Sequence, residues 1–288
     1  MQTIKIGTRG SKLAIAQTKI VENLLQKYFP DIKTEIVIIK TKGDKILDKP
    51  LSEIGDKGLF INEFEEALIN KEIDLAVHSA KDLPTELKCG LKIICTPKRA
   101  DARDVIITKK GIVKISLIGT SSPRREFYAK KYYPNAICKP IRGNIDTRLN
   151  KLLKGEYDSI ILAKAGLDRL NIIDENVDLF DFKIFDVKTF LPAACQGIIA
   201  VETREDYELN NQLSLLNDDE TYLQYKIERE CLKNLEISCS EVSAVYSEII
   251  SNDEVSITVM YKGKEISVKE NTSKILKKIP SIVSQVKL

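Results

Sequence analysis

Two hydrophobic periods alternate along the first two thirds of this chain. Ile4 to Gly7 reads as a strand, Leu13 to Tyr28 as an amphipathic helix, Thr34 to Ile39 as a strand and Asn62 to Asn70 as a helix. A fifth element, the apolar run Ile73, Leu75, Ala76 and Val77, predicts a strand that breaks off into His78, Ser79, Lys81 and Asp82 before Pro84. This is the βαβ rhythm of a parallel or mixed sheet. The polar stretch TPKRADARD (96–104) then predicts a crossing into a second unit. There Ile115 to Ile118, Ala136 to Ile141 and Ser159 to Ala163 are expected strands, with helices over Pro123 to Tyr132 and Ile145 to Lys154. After Phe190, LPAACQG reads as a second crossing that leads into the apolar strand Ile198 to Val201. Two crossings imply a discontinuous first domain with a hinge, residues 1–96 with 195–215, around a second domain of 97–194.

The remainder, 216–288, has a different grammar. Asn217 and Glu220 fit a capping box before a helix over Thr221 to Glu236, striped with Leu223, Ile227, Cys231, Leu232 and Leu235. Three β-rich runs follow, Val242 to Ile249, Val255 to Tyr261 and Glu265 to Val268, so a small antiparallel α+β domain is expected.

Composition narrows the function classes. With 288 residues, 43% apolar and 30% charged, the chain suits two or three globular domains. A net charge of +3 is too small to argue for nucleic acid. No segment reaches a membrane-spanning length, and the N-terminus lacks the apolar core of a secretory signal, so a cytoplasmic location is the expectation. The six cysteines show no CxxC pair and there is one histidine, which predicts reduced thiols and no metal site.

Candidate chemistry gathers at the strand ends. In open α/β sheets ligands bind outside the carboxyl ends of strands, which marks IDLAVHSAKDLP (73–84) as a crevice-facing stretch. Taken alone it reads first as a solvated turn with a helix cap. Three strand-to-helix junctions carry arginine: GTRGSKLA with Arg9 and Ser11, GTSSPRRE with Arg124 and Arg125, and IRGNIDTRL with Arg142 and Arg148. Cations in a helix's first turn oppose its dipole by up to about 1 kcal/mol each, so the adjacent pair Arg124 and Arg125 asks for an anion that offsets the cost. Guanidinium groups grip carboxylate or phosphate bidentately, and three such junctions point to a ligand with several negative charges. The basic and aromatic run RREFYAKKYYP (124–134) has the composition of a single-strand nucleic-acid binder. Its helical spacing does not separate aromatics and cations onto one stacking face.

These residues also carry a resemblance. TRGSKLA (8–14), KGLFINEFE (57–65), AVHSAKDLP (76–84), GTSSPRRE (119–126), RGNIDTRL (142–149), ILAKAGLDRL (161–170) and LPAACQG (191–197) stand in the order and spacing of the porphobilinogen deaminases. The resemblance spans almost the whole chain. It implies two type II periplasmic-binding-protein-like domains with the active site in their cleft, and a third domain bearing a dipyrromethane cofactor on a thioether to Cys239. It implies head-to-tail condensation of four porphobilinogen molecules into hydroxymethylbilane, with ammonia released at each addition. Asp82 matches the catalytic carboxylate. Lys81, Asp82, Ser11, Thr120, Ser121, Arg124, Arg125, Gly143 and Arg148 match positions that hold the cofactor; Arg9, Ser11, Arg142, Arg148, Arg169, Lys57 and Gln196 match substrate-holding ones. Lys57 belongs to a stretch that in the family is a mobile loop, consistent with glycines at 43, 55 and 58. The resemblance also implies a monomer. A non-catalytic polyanion-binding module of the same fold is the alternative, and retention of Asp82 and Cys239 argues against it. Two departures stand out: ISCSEVSA places Ser238 where the family has glycine and Ser243 near an expected proline, and Cys195 replaces a glycine in the second crossing.

Overall fold

Strand β1 (Thr3–Thr8) is the first strand of the first sheet. The computed structural model describes residues 3–41, 43, 61–236 and 241–287. The described residues fall into two compact units, one drawn from 1–49, 55–100 and 197–225, the other from 101–196 and 226–288.

In the first unit β1 pairs in parallel with β2 (Lys33–Ile38) and β3 (Leu75–Ser79), and β10 (Ile199–Arg204) lies antiparallel between β3 and β4 (Leu91–Cys95). The order is β2-β1-β3-β10-β4. Helix α1 (Lys12–Tyr28) buries Val21 and Leu25 against Ile4, Ile6, Leu75 and Val77 on one face. Helix α2 (Asn62–Ile69) covers the other with Phe64 and Leu68 against Ile73 and Ala76. The two apolar stripes of the helices account for the alternation along β3, whose successive side chains face opposite layers.

The second unit repeats the plan. Strands β5 (Asp104–Lys109), β6 (Leu117–Gly119), β7 (Ile137–Lys139), β8 (Ser159–Ala163) and β9 (Phe180–Ile184) are ordered β7-β6-β8-β5-β9, and β5 is antiparallel to both neighbours. In each sheet, therefore, the antiparallel strand next to the edge is the one that follows a crossing: β5 after 96–103 and β10 after the run that ends at Gly197. That shared order makes both units type II periplasmic-binding-protein-like α/β domains. Helices α3 (Pro123–Tyr132) and α4 (Ile145–Leu153) follow β6 and β7, burying Tyr128 and Ala129 in one core cluster and Leu149 and Leu152 in another. Short helices α5 (Lys164–Arg169) and α6 (Ile172–Glu175) follow β8. In the first unit, α7 (Asn210–Leu213) follows β10.

The C-terminal part consists of α8 (Asp219–Leu235), the antiparallel sheet β11 (Ser243–Ile249), β12 (Glu254–Tyr261) and β13 (Lys264–Asn271), and α9 (Ile275–Lys287). No described helix is long and apolar enough to cross a membrane.

Several details depart from the sequence reading. Strand β3 runs on through His78 and Ser79, because both polar side chains find partners inside the sheet. The cap of α8 is Asp218, whose Oδ1 accepts from Thr221 N at 2.9 Å; Asn217 instead accepts from Thr96 N at 2.9 Å. Strands β4, β5 and β9 and helices α5, α6, α7 and α9 were not anticipated.

Candidate functional site

Because β1 and β3 are parallel neighbours, Gly7 opposite Ala76, their carboxyl ends open at the same edge of the first sheet. Arg9 and Ser11 follow β1, and Lys81 and Asp82 follow β3. Ser11 caps α1, its Oγ accepting from Ala14 N at 3.2 Å. A bond between Gln17 Nε2 and Ser79 Oγ at 2.9 Å ties α1 to the end of β3. Lys81 and Asp82 lie on a single 3-10 turn, Ala80–Asp82, and both side chains are exposed. The turn is anchored by Ala80 N, which donates to Ile198 O at 3.0 Å, and by Leu83, which is buried. The Asp82 side chain makes no hydrogen bond or ion pair among the described residues. Behind the turn, His78 Nε2 meets Glu202 Oε2 at 2.9 Å, with both side chains buried.

In the second unit the same edge is formed by the carboxyl ends of β6, β7 and β8. Thr120 and Ser121 leave β6, and Ser121 Oγ both donates to Ile141 O (2.8 Å) and accepts from Ile141 N (3.0 Å), so the β6 and β7 ends are bound together. Arg142 and Gly143 follow at once. Gly143 has φ +110°, and a Cβ there would lie 2.6 Å from Thr147 Cγ2. Only glycine fits. Its carbonyl accepts from Arg148 Nε at 2.8 Å, and Asn144 caps α4 through Thr147 N at 2.9 Å. Arg169 ends α5. Burial pushes its guanidinium pKa down to about 10, while neighbouring Asp168 pulls it upward. Gln196, buried, donates from Nε2 to Ala102 O at 2.6 Å.

Arg124 and Arg125 turn inward. Arg125 Nε donates to Asp104 Oδ1 at 2.9 Å and its Nη1 to Ile161 O at 3.0 Å; Arg124 Nη1 lies 2.7 Å from Asp104 Oδ2 and donates to Leu191 O at 2.7 Å. The anion that the first turn of α3 asks for is thus present in the chain itself, as the buried Asp104 at the start of β5. Arg124 keeps one buried N–H, at Nε, without a hydrogen-bond acceptor among the described residues. Leaving such a donor unpaired costs about 1–3 kcal/mol, which an incoming carboxylate would recover. Cys239 and Lys57 lie outside the described residues.

The chain matches the family model described as porphobilinogen deaminase, dipyromethane cofactor binding domain, over residues 4–212. It is 43% identical over 264 residues to the porphobilinogen deaminase of Acetivibrio thermocellus, covering 91% of this chain and 88% of that one. To the porphobilinogen deaminase of Bacillus velezensis it is 46% identical over 263 residues, covering 89% and 83%. The chain belongs to the porphobilinogen deaminase family. Membership makes it a transferase of tetrapyrrole biosynthesis with dipyrromethane as its cofactor. Among solved structures it is similar to an arginine-specific periplasmic binding protein of Salmonella typhimurium, at 11% identity over 80% of this chain and 98% of that one, TM-score 0.46.

The residues present fit the deaminase cofactor, whose two pyrroles carry acetate and propionate groups. Arg124 Nε offers an unused buried donor, Gly143 leaves space that a side chain would fill, and a carboxylate beside Arg169 would favour its charged form against burial. Sequence reasoning missed Asp104 and Glu202. Glu202 stands 124 residues from His78, and only its place inside the apolar strand β10 could have marked it as a buried carboxylate in need of a partner; Asp104 closes a polar stretch and carries no such mark.

Proposed function

We propose that the chain joins four porphobilinogen molecules head to tail into hydroxymethylbilane, and that Asp82 is the carboxylate at the reacting centre. The observation that carries this assignment is an exposed acid at the carboxyl end of a central strand, on a turn whose preceding strand and following residue are pinned. When bound through Cys239, the dipyrromethane supplies the primer, a pyrrole with a free α-carbon. The addition breaks a carbon–nitrogen bond of porphobilinogen with loss of ammonia, and the bound primer would supply the α-carbon that takes the freed methylene and gives up a proton. Asp82 stabilises the cation left by the departing ammonia, accepts hydrogen bonds from pyrrole N–H groups at its two oxygens, and takes the proton released from the α-carbon.

Arg9, Ser11, Lys81, Thr120, Ser121, Arg142, Gly143, Arg148, Arg169, Gln196 and Lys57 are proposed to hold the carboxylates and backbone of cofactor and substrate. Arg124 joins them through its Nε, while Arg125, spent on Asp104 and Ile161, fixes the start of α3. We assign 1–96 with 195–215 to the domain bearing Asp82, 97–194 to the arginine-rich domain and 216–288 to cofactor attachment. The chain acts as a cytoplasmic monomer without nucleic-acid partners, a reading supported by the small net charge.

The test is Asp82→Ala. The variant is expected to fold and to carry the two-pyrrole mass while its elongation stalls. Normal turnover in that variant would remove Asp82 from the reacting centre.

A further inference from the structure

We propose that His78 and Glu202 are a buried positioning pair for Asp82; the inference rests on the reading of Asp82 given above. Glu202 lies on β10 opposite Ala76, which makes it the diagonal neighbour of His78 on the same face of the sheet. That face is covered by α2, and Phe64 meets the imidazole edge-on with ring centroids 5.3 Å apart. Glu202 is fully buried. Its Oε2 contacts His78 Nε2 at 2.9 Å, and its Oε1 has no hydrogen-bond partner among the described residues. The other charged groups facing the pair are Glu65 of α2, itself buried, and Lys88, whose N donates to Glu65 Oε1 at 3.0 Å.

Such a carboxylate is an expensive way to fill a core. A buried pair of this kind is often no more stabilising than apolar residues of the same volume, so the pair's contribution is directional. It joins His78, the last residue of β3 on the face covered by α2, to β10, and Ile198 O, one residue before that strand, receives the Ala80 amide. The ring contact therefore sets the angle at which β3 hands over to the Ala80–Asp82 turn, four residues from His78 to the acid. The hydrogen bonds of Ser79 to Gln17 set it from the opposite layer. With both in place, the Asp82 carboxylate leaves the sheet in one direction.

Glu202→Ala strands an imidazole in the core and risks unfolding, so the decisive variant is the apolar pair H78F/E202L. It is expected to melt close to wild type and to carry the cofactor mass, yet to lose about 10- to 100-fold in kcat, the cost of a reacting group displaced by about 1 Å. KM for porphobilinogen should stay within a factor of about two. Glu202→Gln, which preserves an acceptor for the ring, should restore kcat to within a few-fold of wild type. In the Asp82→Ala background the apolar pair should cause no additional loss of elongation, because it acts through the missing acid. Wild-type kcat in a folded H78F/E202L enzyme, or an equal loss in both backgrounds, would overturn the positioning role. Normal turnover of Asp82→Ala alone would instead overturn the reading of Asp82.

Discussion

Asp104 is the residue on which the arginine-rich edge depends. It is fully buried and meets two guanidinium groups, so Asp104→Asn would leave both cations in the interior with no counter-charge from this position. Removing one partner of such a set costs about 3–5 kcal/mol. The urea midpoint should fall accordingly; a midpoint unchanged from wild type would show that the arginines need no internal anion. Asp101 gives a pH-dependent counterpart. Burial pushes its pKa up, but hydrogen bonds and charge from Arg103, with Lys164, prevail and hold it below the usual carboxylate value. A depressed carboxyl contributes stability above its unfolded pKa and loses it as pH falls through the folded one. Wild type should thus exceed Arg103→Ala in stability at neutral pH, with the gap closing below about pH 4. A gap constant down to about pH 2 would contradict the pairing. At this scale the sequence showed that Arg124 and Arg125 want an anion, since the dipole penalty is local. It could not show that Asp104, in a polar stretch 20 residues earlier, supplies one, because that partnership exists only once β5 lies beside β8.

Among the elements, those whose signals are local were legible. Helix α3 runs over the predicted residues because Ser122 and Pro123 start it, Ser122 Oγ accepting from Arg125 N at 3.3 Å. Strand β8 likewise matches its apolar run. The end of β3 was misjudged because His78 and Ser79 are polar, and only the pairing with Glu202 and Gln17 lets them stay in a buried strand. Helix α9 was hidden by Pro280, which removes an internal N–H; its buried stripe Ile275, Ile279, Ile282, Val283 and Val286 holds it to the C-terminal sheet. The turn into α4 is the element most sensitive to a single atom. Gly143→Ala adds a Cβ against Thr147 at a left-handed φ, a strain of order 1–3 kcal/mol. Melting should drop by roughly 2–4 °C per kcal/mol. An Ala variant that melts with wild type would mean that the turn relaxes freely.

Across the whole molecule, both crossings are proline-containing runs between apolar strands, a signal present in the sequence itself. Unread was the reason they recur: each delivers the antiparallel strand of the sheet it enters. The backbone marks the second crossing as demanding. Gly197 has φ +89°, with a Cβ that would lie against the Ala100 carbonyl, and Cys195 adopts φ +60° although it is not glycine. The strain at Cys195 is held by Glu228, a buried carboxylate of α8 that accepts from Cys195 N at 2.5 Å and from Ser247 N and Oγ at 2.8 Å each. One acid therefore binds the crossing to the two elements, α8 and β11, between which Cys239 stands in the sequence. A deaminase of this family is primed by a covalent dipyrromethane, here on Cys239, and extends it. Intact-mass spectrometry of the purified chain reads that primer. The expected mass exceeds that of the sequence by two linked pyrroles, with further steps of one pyrrole each on brief exposure to porphobilinogen, and neither increment in Cys239→Ser. A folded wild-type chain at its sequence mass, unaltered by porphobilinogen, would contradict it.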